Sequence, residues 1–492
     1  MTIKGTANPP LRSGAELELA FTDLLANGQG VGRYFGQVVF CFGPLPEERA
    51  IVRITSIKRS YAVGELVRIT LPSAMRTKPF CPVFGECGGC QLQHLQYSAQ
   101  LAWKRDLVRS ALERIGGFED VRVRFPVGMA SPRAYRNKMS LVVDHVYTEP
   151  TLGFYRQRSH QVVPIDGCPI VEPALNEIIG RLNGMRASSE VAPAFAAARH
   201  IVARTARSSG QSVVTITTST RSEETVRIAQ PLLNQLPTAV GITNSFELSG
   251  QNAILGRKHV LNAGVGQIEE SIGGVRYRVS VGSFFQVNVE IVGQIFEFMQ
   301  AGLGQPRKIV DLYSGAGTFS LFFAKHGCEV VGIEENRQAV AEATGNAELN
   351  DLTSSVHFVT GKVEQAVNGS VGRAALKEAQ IVFLDPPRKG SDEVTLEAIA
   401  RSGVPNIWYL SCDPATLARD LKFLAANGYR LGVVQPFDMF PQTGHVETLV
   451  TLYREISTAS DAFADAPIPQ WPDEELFPRK PSEYPDFVIR ED

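Results

Sequence analysis

The chain lacks several things, and each absence excludes a class. It lacks a large net charge, since 49 Lys and Arg face 51 Asp and Glu for a formal charge of −2, so no strong excess of one sign runs through it. It lacks any apolar run approaching the ~20 residues of a membrane-spanning helix. Its first residues, Met1-Thr-Ile-Lys-Gly5, lack the apolar core of a secretory signal. The expectation is a protein of the cytoplasm, with no membrane partner, in a compartment where disulfides are rare. Cysteine is sparse, and its seven copies are odd in number and unevenly clustered, which argues against a disulfide framework. No internal repeat is present. What remains is an ordinary globular composition, 44% apolar over 492 residues, enough for two to four domains with full cores.

The near-zero charge hides an asymmetry. Residues 51–140 hold 15 Lys and Arg against 6 Asp and Glu, a candidate nucleic-acid face or an ordinary solvated surface. Residues 456–492 hold 3 against 9 and are rich in Pro and Ser, which predicts a disordered acidic tail. Residues 13–72 alternate apolar and polar residues between Gly-rich turns, at 15–21, 36–42, 49–59 and 66–71. Many short strands at this spacing predict a small β-barrel. Residues 73–303 carry a cysteine cluster at 81–90 and a helix near 97–115, and then mix strands and helices. From 304 to 455 strands at 308–313, 329–334, 356–360, 381–385 and 407–411 alternate with helical stretches, the signature of a doubly wound α/β domain.

Three constellations carry chemistry. In Val310-Asp-Leu-Tyr-Ser-Gly-Ala-Gly-Thr318 a strand runs into Gly315 and Gly317 and then a helix, so a ligand can approach the backbone closely. The third glycine of the dinucleotide fingerprint is missing. Glu334 ends the second strand, where an acid can accept from ribose hydroxyls, and Asp385 ends the fourth. Together these features resemble a class I S-adenosylmethionine (SAM) methyltransferase of Rossmann-like fold.

The second constellation is Cys412. Residues 407–410 read as a buried strand, Asp413 as an N-cap and Pro414 as a first-turn proline. Leu417, Leu421 and Leu424 then recur at helical spacing. Cys412 therefore sits on a strand-to-helix turn at the rim where open α/β sheets bind ligands. A helix N-terminus there predicts a lowered thiol pKa. Residues 444–452, with Glu447, read as an antiparallel closing strand that begins on the same rim. A thiol and a separate base are what C5 methylation of a pyrimidine needs. Uracil C5 is too weak a nucleophile until a thiolate adds at C6, and a base must then remove the C5 proton so that the thiolate leaves.

The third is Cys81-Pro-Val-Phe-Gly-Glu-Cys87-Gly-Gly-Cys90, with Cys168 in Gly167-Cys-Pro169. Four thiolates suit either an iron–sulfur cluster or zinc, although the spacing departs from paired CxxC zinc sites. A structural role fits better than redox catalysis. Cys41 and Cys328 fall in apolar settings and read as inert.

The combination of Cys-x5-Cys-Gly-Gly-Cys-Gln-Leu-Gln-His, Phe-Phe-Gln-Val-Asn, Asp-Leu-Tyr-Ser-Gly-Ala-Gly-Thr-Phe, Leu-Asp-Pro-Pro-Arg, Ser-Cys-Asp-Pro-Ala-Thr-Leu-Ala-Arg-Asp and His-Val-Glu resembles the RNA uracil-C5 methyltransferases over roughly residues 13–455. It looks most like the iron–sulfur 23S rRNA enzymes that carry an N-terminal TRAM barrel. The resemblance implies a [4Fe–4S] cluster on Cys81, Cys87, Cys90 and Cys168. It implies Cys412 as nucleophile and Glu447 as proton acceptor. It implies SAM contacts at Gln286, Tyr313, Thr318, Glu334 and Asp385, with Thr318 where some relatives have Asn, and Phe284 as a platform for a flipped base. Lys362 falls where Asn is frequent near the adenine, and Asp413 where several relatives have Asn. The implied partner is 23S rRNA, before or during ribosome assembly, met by a monomer.

Other readings differ in kind. One is the same chemistry on another rRNA uridine or on tRNA. Another is a non-catalytic RNA-binding iron–sulfur protein, which loss of Cys412 or Glu447 would have favoured. A radical-SAM methylthiotransferase would need CxxxCxxC, which is absent. A cytosine-C5 enzyme would place Pro-Cys after the fourth strand, where this chain has Asp385-Pro-Pro387.

Overall fold

The computed structural model describes residues 11–454 apart from 146–149, 187, 189–190, 251–252 and 306. The acidic tail expected at 456–492 lies outside the described residues. Among the described residues no helix is long and apolar enough to cross a membrane.

Alternation builds the first unit. Strands β1 (Glu16–Leu24), β2 (Gln29–Tyr34), β3 (Gln37–Phe42), β4 (Arg49–Ile57) and β5 (Tyr61–Leu71) close into a barrel in the order β1-β2-β3-β5-β4. Every second residue points inward, and Leu19, Phe21, Val39, Cys41, Val52, Ile54 and Ala62 fill the interior. The strand missed by the alternation argument is β2, whose Gly30 and Gly32 supply no side-chain pattern.

Next come the cysteine loop and the helix Tyr97–Ala111, which continues as one π-helical turn, Leu112–Gly116. A mixed sheet follows from β6 (Lys138–Asp144), β7 (Thr151–Tyr155), β8 (Val162–Pro164), β9 (Ala198–Thr205), β10 (Ser212–Thr218), β11 (Ala239–Phe246) and β12 (Lys258–Gly264). Its order is β12-β11-β10-β9-β6-β7-β8, and only β10 and β11 run parallel.

A hairpin, β13 (Gln267–Ile272) and β14 (Val275–Ser280), leads to the helix Val289–Leu303. The last sheet holds β15 (Lys308–Leu312), β16 (Glu329–Glu334), β17 (Val356–Thr360), β18 (Ile381–Leu384), β19 (Asn406–Ser411), β20 (Tyr429–Phe437) and β21 (Glu447–Arg454), ordered β17-β16-β15-β18-β19-β21-β20. The first five strands are parallel and β21 runs antiparallel to β19. Short apolar runs such as Ile381-Val-Phe-Leu384 suit strands buried on both faces. The preceding hairpin and helix share this sheet's core: Val275, Tyr277, Ile295 and Phe296 pack with Phe319, Phe322, Phe323 and Trp408. The chain before β6 also reaches this sheet, where Val123 and Val127 pair in parallel with Val434 and Phe437 along β20.

Candidate active site

The carboxyl ends of the parallel strands form one rim. Tyr313 follows β15, Glu334 ends β16, Asp385 follows β18 and Cys412 follows β19, while Glu447 opens the antiparallel β21. At about 4.8 Å per strand, Glu334 and Cys412 stand roughly 14 Å apart across the rim. After β15 the backbone turns sharply. Tyr313 has φ +67°, Gly315 +54° and Gly317 +84°. Gly317 is the N-cap of the helix Thr318–Lys325, whose first residue is the buried Thr318. Glu334 is tied to this turn, because its carboxylate accepts from Gly315 N–H at 3.0 Å and from Asn336 N–H at 2.7 Å. Beneath lies Asp311, bonded by Ser320 Oγ–H and pushed by burial up to about 8.

The register sets Cys412 against Glu447. Asn406 pairs with Tyr453 and Ser411 with Thr448, so one step further brings position 412 opposite 447. The turn is held by Asp413, whose carboxylate accepts from Ala415 N–H at 3.0 Å and Thr416 N–H at 2.9 Å, ahead of Pro414. Glu447 is buried. Burial and then Asp385 push its carboxyl well above the usual range, and burial raises Asp385 too.

The lowered thiol pKa expected at Cys412 is corrected here. Burial first, then Glu447 and Asp385, push it up to about 12. The carboxylates arrive on neighbouring strands, so a reading of the local turn misses them. Arg388 opposes the effect at both Cys412 and Glu447. Arg388 belongs to Asp385-Pro-Pro-Arg388, yet the sequence reading assigned it no role. It lies 3.3 Å from His445 Nε2, and burial followed by Arg388 pushes His445 down to about 4. His445 is thus neutral at physiological pH. Cys412 should therefore be alkylated slowly by iodoacetamide in the free protein. The rate should rise about tenfold per unit between about pH 7 and 9, as the thiolate fraction grows. Peptide mass mapping resolves the site, and a rate independent of pH above neutrality would contradict the raised pKa.

Gln286 and Phe284 sit on the segment before the helix Val289–Leu303. Phe285 is 2% exposed and packs in the core, whereas Phe284 is 72% exposed. Phe284 is thus a surface aromatic rather than part of the core. Gln286 is buried, and its carbonyl accepts from Asn137 Nδ2 at 3.1 Å. Lys362 is exposed after β17.

Two of the four cysteines lie where two cores adjoin. Cys90 and Cys168 pack against the core of the last sheet, and Cys168 also against that of the central sheet. The thiols of Cys87, Cys90 and Cys168 each feel other members of the set, Cys81 included, and burial raises all three, Cys90 to about 12. Backbone N–H groups face two of the sulfurs. Gly89 N–H lies 3.4 Å from Cys87 Sγ, and those of Ile170 and Val171 point to Cys168. Among the described residues no three His, Cys, Asp or Glu side chains converge as a metal ion requires.

The basic count over 51–140 overstates the surface charge. Lys104 is fully buried against Asp438, Arg76 is paired with Glu48 and Arg53 with Glu16. Lys58, Arg59, Arg68, Lys78, Arg114 and Arg133 remain exposed.

Residues 96–455 match the family described as tRNA (uracil-5-)-methyltransferase, and residues 10–67 match the TRAM domain. An uncharacterized RNA methyltransferase of Clostridium acetobutylicum is 35% identical, covering 90% of this chain and 98% of its own. One from Listeria innocua is 36% identical over 90% and 98%. Among solved structures, the tRNA (uracil-54, C5)-methyltransferase of Pyrococcus abyssi in complex with S-adenosyl-L-homocysteine superposes with a TM-score of 0.69 at 27% identity, covering 89% of this chain and all of that one.

Proposed function

This chain belongs to the RNA (uracil-5-)-methyltransferase family and is a SAM-dependent enzyme of that family, and from this premise we propose that it methylates C5 of a uridine in 23S rRNA through a covalent bond between Cys412 and C6. The observation that carries the reading is the register ending at Ser411 opposite Thr448, one step short of Cys412 and Glu447, together with the electrostatic effect of Glu447 on the Cys412 thiol. Two carboxyl groups stand beside the sulfur. One, Asp385, takes the thiol proton as the S–C6 bond forms. The other, Glu447, takes the C5 proton after methylation, and the electrons of the C5–H bond re-form the C5–C6 double bond and expel the thiolate. Arg388 favours negative charge at Cys412 and at Glu447. SAM supplies a methyl group activated on a sulfonium, and Gln286, Tyr313, Thr318, Glu334 and Asp385 are the residues that would hold it. The exposed Phe284 offers a flat face for a base drawn out of its stack.

Cys81, Cys87, Cys90 and Cys168 are proposed to hold a [4Fe–4S] cluster. The support is the donor set: four cysteines whose thiols act on one another electrostatically, with backbone N–H groups facing two of them. Bound there, a cluster would link the two cores against which Cys90 and Cys168 pack.

A second reading has its own support. The Pyrococcus abyssi neighbour is named for uracil 54 of tRNA, so the same chemistry on tRNA is the alternative. The resemblance of the barrel and cysteine motif to those of the 23S rRNA enzymes is what puts 23S rRNA first. Anaerobically purified protein given labelled SAM should label 5-methyluridine in unmodified 23S rRNA. The same preparation should carry about four irons per chain. Label in tRNA alone would shift the assignment to the second reading, label in neither RNA would refute both, and stoichiometric zinc would remove the cluster.

A further inference from the structure

We propose that Gln442, outside the catalytic rim, is a positioning residue that ties the general base Glu447 to the cysteine loop. The inference rests on the reading of Glu447 as the base. Strands β20 and β21 end and begin at the paired residues Phe437 and Glu447, so residues 438–446 form a loop that leads straight into the base.

Elements outside the last sheet hold that loop almost residue by residue. Asp438 receives the Lys104 ammonium and the Tyr97 hydroxyl, the latter at 2.7 Å. The carbonyl of Met439 accepts from Asn288 Nδ2 at 3.2 Å, that of Phe440 from Lys104 Nζ at 3.1 Å and that of Pro441 from the Tyr135 hydroxyl at 3.0 Å. Gln442 is the most fully engaged. Its carbonyl accepts from Gln91 N–H and Leu92 N–H, both at 3.0 Å, immediately after Cys90. Its own N–H donates to Gln100 Oε1 at 3.1 Å, and Gln100 Nε2 donates back to its side-chain carbonyl at 2.9 Å. Gln100 Nε2 also donates to the carbonyls of Leu92 and Leu95. Both glutamines are buried, and Gln442 has φ +69°, a conformation that persists only when its surroundings impose it. Two residues on, Gly444 lies so close to the barrel that a Cβ would stand 1.8 Å from the Ala26 carbonyl oxygen.

The base is thus aimed by the cysteine loop, by the helix Tyr97–Ala111 and by the barrel rather than by its own strand alone. Neither glutamine occurs among the residues that would meet SAM or the uridine. A small displacement of Glu447 would slow removal of the C5 proton, which depends on its placement, and leave earlier steps running.

The test compares Gln442→Ala, Gln442→Glu, Gln100→Ala, the Gln100→Ala/Gln442→Ala double variant and Glu447→Gln with wild type on the RNA that wild type labels. Each is read for turnover, for the denaturant-stable methylated protein–RNA adduct, and for SAM affinity. Gln442→Ala should lose about ten- to hundredfold in turnover, with the methylated adduct accumulating and SAM affinity within about twofold of wild type. Gln442→Glu keeps the acceptor for Gln100 and should recover part of the turnover. The double variant should be no worse than Gln442→Ala, because the two amides act as one unit. Should Gln442→Ala fail to fold, Gln100→Ala, altered on the helix side, carries the same expectation. Unchanged turnover, or loss without adduct, would overturn the coupling. If Glu447→Gln itself traps no adduct, the base assignment fails. If it traps adduct and the glutamine variants do not, only the coupling fails.

Discussion

Cys412→Ala is expected to remove methyl transfer, by at least about a thousandfold, while SAM affinity stays within about twofold. The size of the effect follows from the chemistry. Without a bond at C6 there is no enolate-like character at C5, and no other group on the rim is a nucleophile of comparable softness. The selectivity follows from the geometry. The glycine turn and Glu334 lie up to three strand spacings away, and none of their hydrogen bonds involves the thiol. The helix after the thiol is capped by Asp413 and started by Pro414, so its N-terminus does not depend on sulfur. Cys412 is also only half-buried, so truncation leaves no closed cavity. Labelled-methyl transfer and calorimetric titration with SAM check both halves. Residual turnover above a few per cent would refute the covalent mechanism, and a parallel loss of SAM binding would make the phenotype one of folding.

The βα rhythm of the last domain was legible because its strands are buried on both faces, and apolar runs such as Ile381-Val-Phe-Leu384 stand out without alternation. Two neighbours were not. Strand β20 carries exposed Arg430 and Gly432 and an irregular register between Leu431 and Val434, which erases its period. Residues 121–127 join its edge through isolated bridges, which carry no sequence pattern at all.

The candidate site shows the same division. The strand-end positions of Cys412 and Glu447 were legible, because each flanks a strand that apolar runs mark out. The direction of the thiol pKa was misread, since the carboxylates that raise it come from β21 and the end of β18, remote in sequence. The influence of Arg388 is not visible in its motif, because it exists only where His445 and Cys412 come near it. Lys104 was counted as surface charge, and the structure makes it an internal partner of Asp438. A buried ammonium is tolerated only with such a partner, and the partner here is 334 positions away.

Glu447→Gln should separate bond formation from release. The substitution keeps the size of a side chain that is only 4% exposed, so packing beside Phe437 and Thr448 should survive. It also removes one of the groups that raise the Cys412 pKa. The sign is therefore favourable to the first half of the reaction: with a neutral amide opposite, the thiol ionises more easily and the adduct forms at least as fast. Methyl transfer should follow, because it needs no base. Removal of the C5 proton should then stall, and general-base loss of this kind slows turnover by about 10²- to 10⁴-fold. The expected result is a methylated protein–RNA complex that survives denaturant and gathers in near-stoichiometric amount. Mass measurement of the linked nucleotide decides between outcomes. An adduct without the added methyl would place Glu447 before methyl transfer, and normal turnover would show that another group on the rim, Asp385 first among them, removes the proton.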